Sequence, residues 1–162
     1  MTTDEINIFL QAAFTGDYCP VVEASNPSSA TCRMMFHGNQ IRPGGTLSGP
    51  TMMTLADTTA YALVLAAVGF KPLAVTTSLS INFMRKPVQA NLVATATMMK
   101  LGKSLAVIDV AINSQGDGRL VAHAVVTYSI PLNEHLPEKD GNAFVAFKEW
   151  DDPAEDAAWN NL

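Results

Sequence analysis

Charge is scarce in this 162-residue chain: Asp, Glu, Lys and Arg make up only 15% of it, against 48% hydrophobic residues and the about 25% charged that globular domains usually carry. So little charge leaves much surface to cover, a hint of contact with further subunits. Basic residues are in deficit too, 10 against 15 acidic for a net charge of −5. That excludes the broad basic face a nucleic-acid binder needs; any anionic ligand has to be held by a few local cations. There are only two cysteines, Cys19 and Cys32, not at metal-ligand spacing, which reads as two reduced thiols and no metal site. The start, MTTDEINIFLQAAF, is acidic where a secretory signal would be basic, so no signal peptide is expected. The longest apolar stretch carries an aspartate and several threonines, which argues against a membrane span. A cytoplasmic protein is the simplest expectation. There is no internal repeat, and the length suits one domain with a sizeable core.

What the chain does contain is a pattern of one helix, two strands, a long helix and four more strands. Thr3, Asp4 and Glu5 read as a helix start, and Ile6, Phe9, Leu10 and Ala13 give the helix an apolar stripe ending near Gly16. Residues 18 to 25 and 28 to 36 read as strands turned at Asn26-Pro27. A loop rich in Gly and Pro follows from His37 to Gly49. The main helix is expected from Pro50 to about Val68, with proline at its first position and Gly69 stopping it. Its faces are nearly all apolar or small, as in a helix wrapped by other elements. Strand patterns then cover residues 74 to 84, 91 to 101, 104 to 114 and 119 to 130. In the first of these, Val75, Thr77, Leu79, Ile81 and Phe83 share one face, and Thr76, Ser78, Ser80 and Asn82 share the other. Asp117-Gly118 is a hairpin signal, and the short connections predict an antiparallel meander. The whole reads as an α+β domain over residues 1–131, one antiparallel sheet wrapped around a long central helix. Residues 132–162 form a polar, acidic C-terminal extension, with Trp150 and Trp159 as candidate anchors.

Asp57 is the only charged residue between Arg42 and Lys71. A carboxylate buried in such surroundings costs several kcal/mol unless paired or hydrogen-bonded. It is therefore either a catalytic acid or a helix-face residue that reaches water. Gly49 lies eight residues earlier, at the helix start, where a free backbone N–H and the helix dipole favour developing negative charge. Two helical turns put the two groups on roughly one face, about 12 Å apart along the axis. A carbonyl polarised by Gly49 and attacked by Asp57, or by a water it activates, would make an acyl-transfer site.

The run Ser48-Gly-Pro-Thr-Met-Met-Thr-Leu-Ala-Asp57 resembles the His-Gly-Gly…Leu-Ala-Asp signature of the PaaI-like hotdog-fold acyl-CoA thioesterases. Ala74-Val-Thr-Thr-Ser-Leu-Ser-Ile-Asn-Phe-Met-Arg-Lys-Pro87 is similar to that family's strand ending in Asn-Phe-Leu-Arg-Pro. The Gly102-Lys103 turn and Asp117-Gly-Arg-Leu-Val-Ala122 match in the same order, so the resemblance covers about residues 18 to 131. It implies a hotdog fold, a homodimer or a homotetramer built as a dimer of dimers, and sites at subunit interfaces. The implied substrate is a thioester of coenzyme A, with no separate cofactor, no nucleic acid and no membrane. Asp57 would be nucleophile or general base, and Gly49 the donor to the thioester oxygen. Ser48 stands where the family has histidine and is either a hydrogen-bonding site residue or a helix-start residue. Arg85 and Lys86 would meet phosphates, with Lys103 a further candidate and the alternative a solvated cluster. Asn82 is a candidate substrate contact, as is Asn39, which lies three residues upstream of the family's asparagine position. Pro50 replaces the second glycine and removes a possible oxyanion donor. The rival reading is a non-catalytic acyl-CoA binder or sensor that kept the pocket; a hydratase lacks its Asp-His pair. His37 is a minor candidate, and His123 reads as a satisfied or solvent-facing strand histidine. His135 belongs to the extension. Met52, Met53, Met84, Met98 and Met99 read as core or acyl-pocket lining.

Overall fold

The computed structural model describes residues 1–14 and 19–131. The C-terminal extension, with Trp150, Trp159 and His135, lies outside the described residues, as does the expected end of the first helix near Gly16. That helix, α1, spans Thr3–Ala13, the start expected from Thr3, Asp4 and Glu5, with Thr2 as its cap. The Thr2 hydroxyl accepts from the Glu5 N–H, and the Glu5 carboxylate accepts from the Thr2 N–H at 2.8 Å, a reciprocal capping box. Ile6 and Leu10, one turn apart, are its fully buried residues.

Strands β1 (Val21–Asn26) and β2 (Ser29–Met34) form the expected hairpin at Asn26-Pro27. The loop beyond them contains a 3₁₀ turn, Gly38–Gln40, and a miniature hairpin of β3 (Ile41–Arg42) and β4 (Thr46–Leu47). Gly44 and Gly45 have φ of 101° and 76°, so this tight turn needs residues that tolerate the left-handed region. The central helix α2 is Gly49–Val68, stopped by Gly69 at φ 87°. Strands β5 (Val75–Phe83), β6 (Leu92–Leu101), β7 (Leu105–Ser114) and β8 (Leu120–Ser129) follow.

The six long strands form one antiparallel sheet in the order β1-β2-β6-β7-β8-β5. Only β6, β7 and β8 are a meander. The expectation that β5 belongs to it fails, because the stretch between Phe83 and Leu92 is too long for a hairpin and crosses the sheet. Its start is held by the Met84 and Arg85 N–H groups on the Val121 carbonyl, and β5 then pairs with β8 while β6 pairs with β2. Ten residues of α2, among them Leu55, Leu63 and Leu65, are buried against this sheet. By length and composition alone α2 could cross a membrane; here it is the core around which the sheet closes. This is the α+β hotdog arrangement expected from the sequence.

The faces of β5 differ from the simple alternation. Thr76 pairs with Tyr128 and Ser78 with Thr127, so Thr77 is an extra residue, a β-bulge. One inserted residue reverses the inward and outward sides. Thr76, not Thr77, therefore shares the helix-facing side with Leu79, Ile81 and Phe83.

The two edges of the sheet are treated differently. On β1, the Asn7 side chain of α1 exchanges two hydrogen bonds of 2.8 Å with the Val22 backbone. That side-chain amide stands in for a further strand and blocks growth there. The β5 edge carries no such cover among the described residues.

Cys32 on β2 is fully buried, and burial pushes its thiol up to about 12. It should therefore remain a neutral thiol between pH 7 and 9. Mass-mapped alkylation of the native protein should leave Cys32 unmodified until denaturant is added; modification at the native rate of a free thiol would contradict its place in the core.

Candidate active site

The first turn of α2 has few N–H groups to offer. Pro50 has none; Thr51 donates to the Ser48 hydroxyl at 3.3 Å, and Met52 to the Ser48 carbonyl at 3.4 Å. The N–H of Gly49 has no acceptor within the helix, and the helix dipole adds positive potential there. Ser48 is the cap of this helix, and its hydroxyl also bonds the Thr51 hydroxyl at 2.8 Å. Both contacts of the Ser48 side chain thus lie within the first turn. At Gly49 itself a Cβ would sit 3.2 Å from the ring of Phe83, so the strand end presses directly on the helix start.

Gly49 opens on a cleft of about 410 Å³. One wall is the β3–β4 hairpin with Arg42, Thr46 and Leu47; the other is the stretch from Phe83 to Pro87, which brings Arg85 and Lys86. The walls are tied together by the Gln89 side chain donating to the Gly45 carbonyl at 2.9 Å. Arg85 also donates to the Leu120 carbonyl at 2.9 Å, which fixes its guanidinium at the strand end. The double glycine, whose purpose the sequence leaves open, makes the turn that presents Arg42.

Asp57 is not among the residues lining this cleft. It sits on the stripe of α2 that the sheet leaves uncovered, with Pro50, Met53 and Thr54 at helical spacing. Its Oδ1 accepts from Thr76 Oγ1 at 2.5 Å and from the Tyr128 hydroxyl at 2.8 Å. The Tyr128 hydroxyl also approaches the Asp57 carbonyl, at 3.2 Å. Among the described residues Oδ2 has no partner, so one oxygen is anchored and the other is available. Burial, then the charge of Asp57, pushes the Tyr128 phenol well above its usual range, which keeps it a neutral donor. Its ring stacks on Tyr61, centroids 5.7 Å apart and planes 5° from parallel, and the Tyr61 hydroxyl donates to the Pro72 carbonyl at 3.1 Å. A stacked pair of aromatics therefore sets the position of the hydroxyl that holds the carboxylate.

Of the other residues singled out from the sequence, Asn39 is exposed on the 3₁₀ turn and does not line the cleft. Asn82 lies on the face of β5 away from α2, in register with His123. Lys103 is exposed in the β6–β7 turn, also outside the cleft. His123 is engaged with Asp109, Nε2 to Oδ1 at 2.6 Å, across the outer face of the sheet. No group of three or more His, Cys, Asp or Glu that could hold a metal occurs among the described residues. The sequence reading missed Thr76, Tyr128 and Arg42. Simple alternation puts Thr76 on the outer face, because the bulge has no sequence signature. Tyr128 is 71 residues from Asp57; the packing of β8 on α2 brings it in, and the pairing of β5 with β8 sets Thr76 beside it.

The thioesterase superfamily model matches residues 44–121. A crystal structure of a candidate thioesterase from Silicibacter sp. TM1040 is 41% identical, with a TM-score of 0.72 over 81% of this chain and 92% of that one. Zebra fish thioesterase superfamily member 2 is 21% identical, with a TM-score of 0.71 over 81% of this chain and 99% of that one. A hypothetical thioesterase protein from Streptococcus pneumoniae TIGR4, crystallised with coenzyme A, is 20% identical, with a TM-score of 0.66 over 80% of this chain and 97% of that one. No match is found among curated proteins.

The capping geometry of Ser48 makes a prediction. Ser48→Ala should cost about 1 kcal/mol, as losses of N-caps do, whereas Ser48→Asp should keep most of the stability. Urea unfolding of the two variants checks this; equal losses would show that the hydroxyl does more than cap.

Proposed function

Because the chain belongs to the thioesterase superfamily, we propose that it hydrolyses a thioester of coenzyme A, with Asp57 as nucleophile or general base and the Gly49 N–H on the thioester oxygen. The observation that carries this reading is the pair of hydroxyls, Thr76 and Tyr128, fixed on one oxygen of the single acid in α2. Two donors on Oδ1 hold the side chain in one orientation and leave Oδ2 to attack the carbonyl carbon or to take a proton from water. In either case charge develops on the thioester oxygen, and a helix-start N–H aimed at it lowers the barrier. The coenzyme A found with the Streptococcus pneumoniae relative supports a thioester of this carrier, as do two cations at a strand end beside the cleft.

A second copy of the chain completes the arrangement. Within one chain Asp57 contacts Thr76 at the start of β5, whereas Gly49 contacts Phe83 at its end, so the two groups do not converge on one carbonyl. Antiparallel pairing of two β5 edges about a two-fold axis would bring the Thr76 end of one copy to the Phe83 end of the other. The β1 edge is blocked by Asn7, the β5 edge carries no cover among the described residues, and Phe83, Met84 and Met53 expose large apolar side chains nearby. A homodimer, or a tetramer made of two such dimers, fits these features. The fold and chemistry suit a cytoplasmic enzyme.

The second reading, a binder of acyl-CoA without turnover, is favoured by the engagement of the Ser48 hydroxyl in the helix cap and by the missing N–H of Pro50. Release of free thiol from a panel of acyl-CoA thioesters decides between them. Wild type should turn over at least one member, and Asp57→Asn should lower kcat by about 10²–10⁴-fold. Tyr128→Phe should lower kcat about tenfold with KM nearly unchanged, the loss of one positioning hydrogen bond. Binding without turnover by wild type would establish the second reading, and an active Asp57→Asn would remove Asp57 from the mechanism. Sedimentation velocity should show no stable monomer at micromolar concentration.

A further inference from the structure

The cleft beside Gly49 is more cationic than the rest of the molecule. The chain has 15 acidic and 10 basic residues, yet Arg42, Arg85 and Lys86 line this one cleft and no acid does. Among the described residues none of the three makes an ion pair, whereas Arg33 and Arg119 each have a carboxylate partner. Like charges gathered around a cleft repel, and the cleft walls focus their field. Arg42 is also pre-positioned. It stands on the two-residue strand β3, the hairpin turn is closed by the Gly45 N–H on the Arg42 carbonyl at 3.1 Å, and its Nε donates to Thr46 Oγ1 at 3.1 Å. That contact leaves the two terminal nitrogens, the fork that binds carboxylates and phosphates two bonds at a time, without an acceptor among the described residues. Such ordering of a long, flexible side chain removes part of the entropy lost when a ligand binds.

We propose that Arg42 is a specificity residue of this cleft: facing Arg85 and Lys86 from the opposite wall, it binds an anionic group of the substrate through its terminal nitrogens. The ligand chemistry is an anionic oxygen pair within reach of a thioester seated at Gly49, supplied either by a phosphate of the carrier or by a carboxylate on the acyl chain. The hydrophobic cleft residues Leu47, Met52 and Phe83 would cover the uncharged part of the same substrate. This inference rests on the thioesterase reading for the identity of the substrate, but the anion site itself can be tested separately.

Four thioesters separate the two sources: a neutral and a carboxylate-terminated acyl chain, each on coenzyme A and on the phosphate-free carrier N-acetylcysteamine. Arg42→Ala and Arg42→Gln should each raise KM about tenfold for the substrates that carry the recognised anion and leave the others unchanged, while Arg42→Lys should recover part of the loss. A loss confined to both coenzyme A thioesters assigns the phosphate; a loss confined to both carboxylated chains assigns the acyl group. An equal loss on all four, or no loss on any, overturns the proposal. If wild type hydrolyses none of the four, the thioesterase reading fails, and calorimetric titration with coenzyme A and with a free dicarboxylate then decides. Weakening by Arg42→Gln of either ligand's binding supports the anion site, and unchanged or absent binding of both overturns it.

Discussion

The burial of α2 is the constraint from which the rest of the structure follows. A twenty-residue helix with a single charge is too apolar to lie on a surface, so it needs a cover on nearly every side. The antiparallel sheet provides it by curling around the helix, which forces β5 away from β6 and onto the far side of β8. One stripe near the helix start stays uncovered, and the acid lies on that stripe. The carboxylate is tolerated in apolar surroundings because two hydroxyls come with the covering strands. The fold's need to cover its helix and the site's need to hold an acid are met by the same strands.

The two ends of β5 separate the candidate functional groups. Its start supplies Thr76 to Asp57; its end presses Phe83 on Gly49 and leads into Arg85 and Lys86. The β-bulge at Thr77 is what makes the first of these contacts available, since a regular strand would have directed the Thr76 hydroxyl away from the helix. The small hairpin before α2 has a comparable role on the other wall. Two glycines in the left-handed region let the chain turn back within four residues and carry Arg42 to the cleft.

Much of the fold was legible in the residues. Period-two alternation marked the strands, proline and Gly69 bounded α2, and Asn26-Pro27 and Asp117-Gly118 marked two turns correctly. The Thr3 start of α1 is legible as well, and the hydrogen bonds of Glu5 pick Thr2 as the cap before it. The place of β5 outside the meander is not legible, because local spacing says nothing about which strand a long connection reaches. Of the candidate site, Asp57 and Gly49 stand out in the residues as a lone acid and a helix-start glycine two turns apart. Arg85, Lys86, Asn39, Asn82 and Lys103 come from the family resemblance; of these five only Arg85 and Lys86 line the cleft, and Asp57 lies outside it.

The sequence by itself determined that a long apolar helix with one acid would be enclosed by antiparallel strands, because hydrophobic periodicity and helix-stop chemistry are local properties. Only the tertiary structure decided what that acid meets. Tyr128 and Thr76 reach Asp57 through strand order and a one-residue bulge, and Arg42 reaches Arg85 and Lys86 through a hairpin folded onto a distant connection. These are long-range pairings, set by how the sheet closes around its helix, and no local pattern in the chain encodes them.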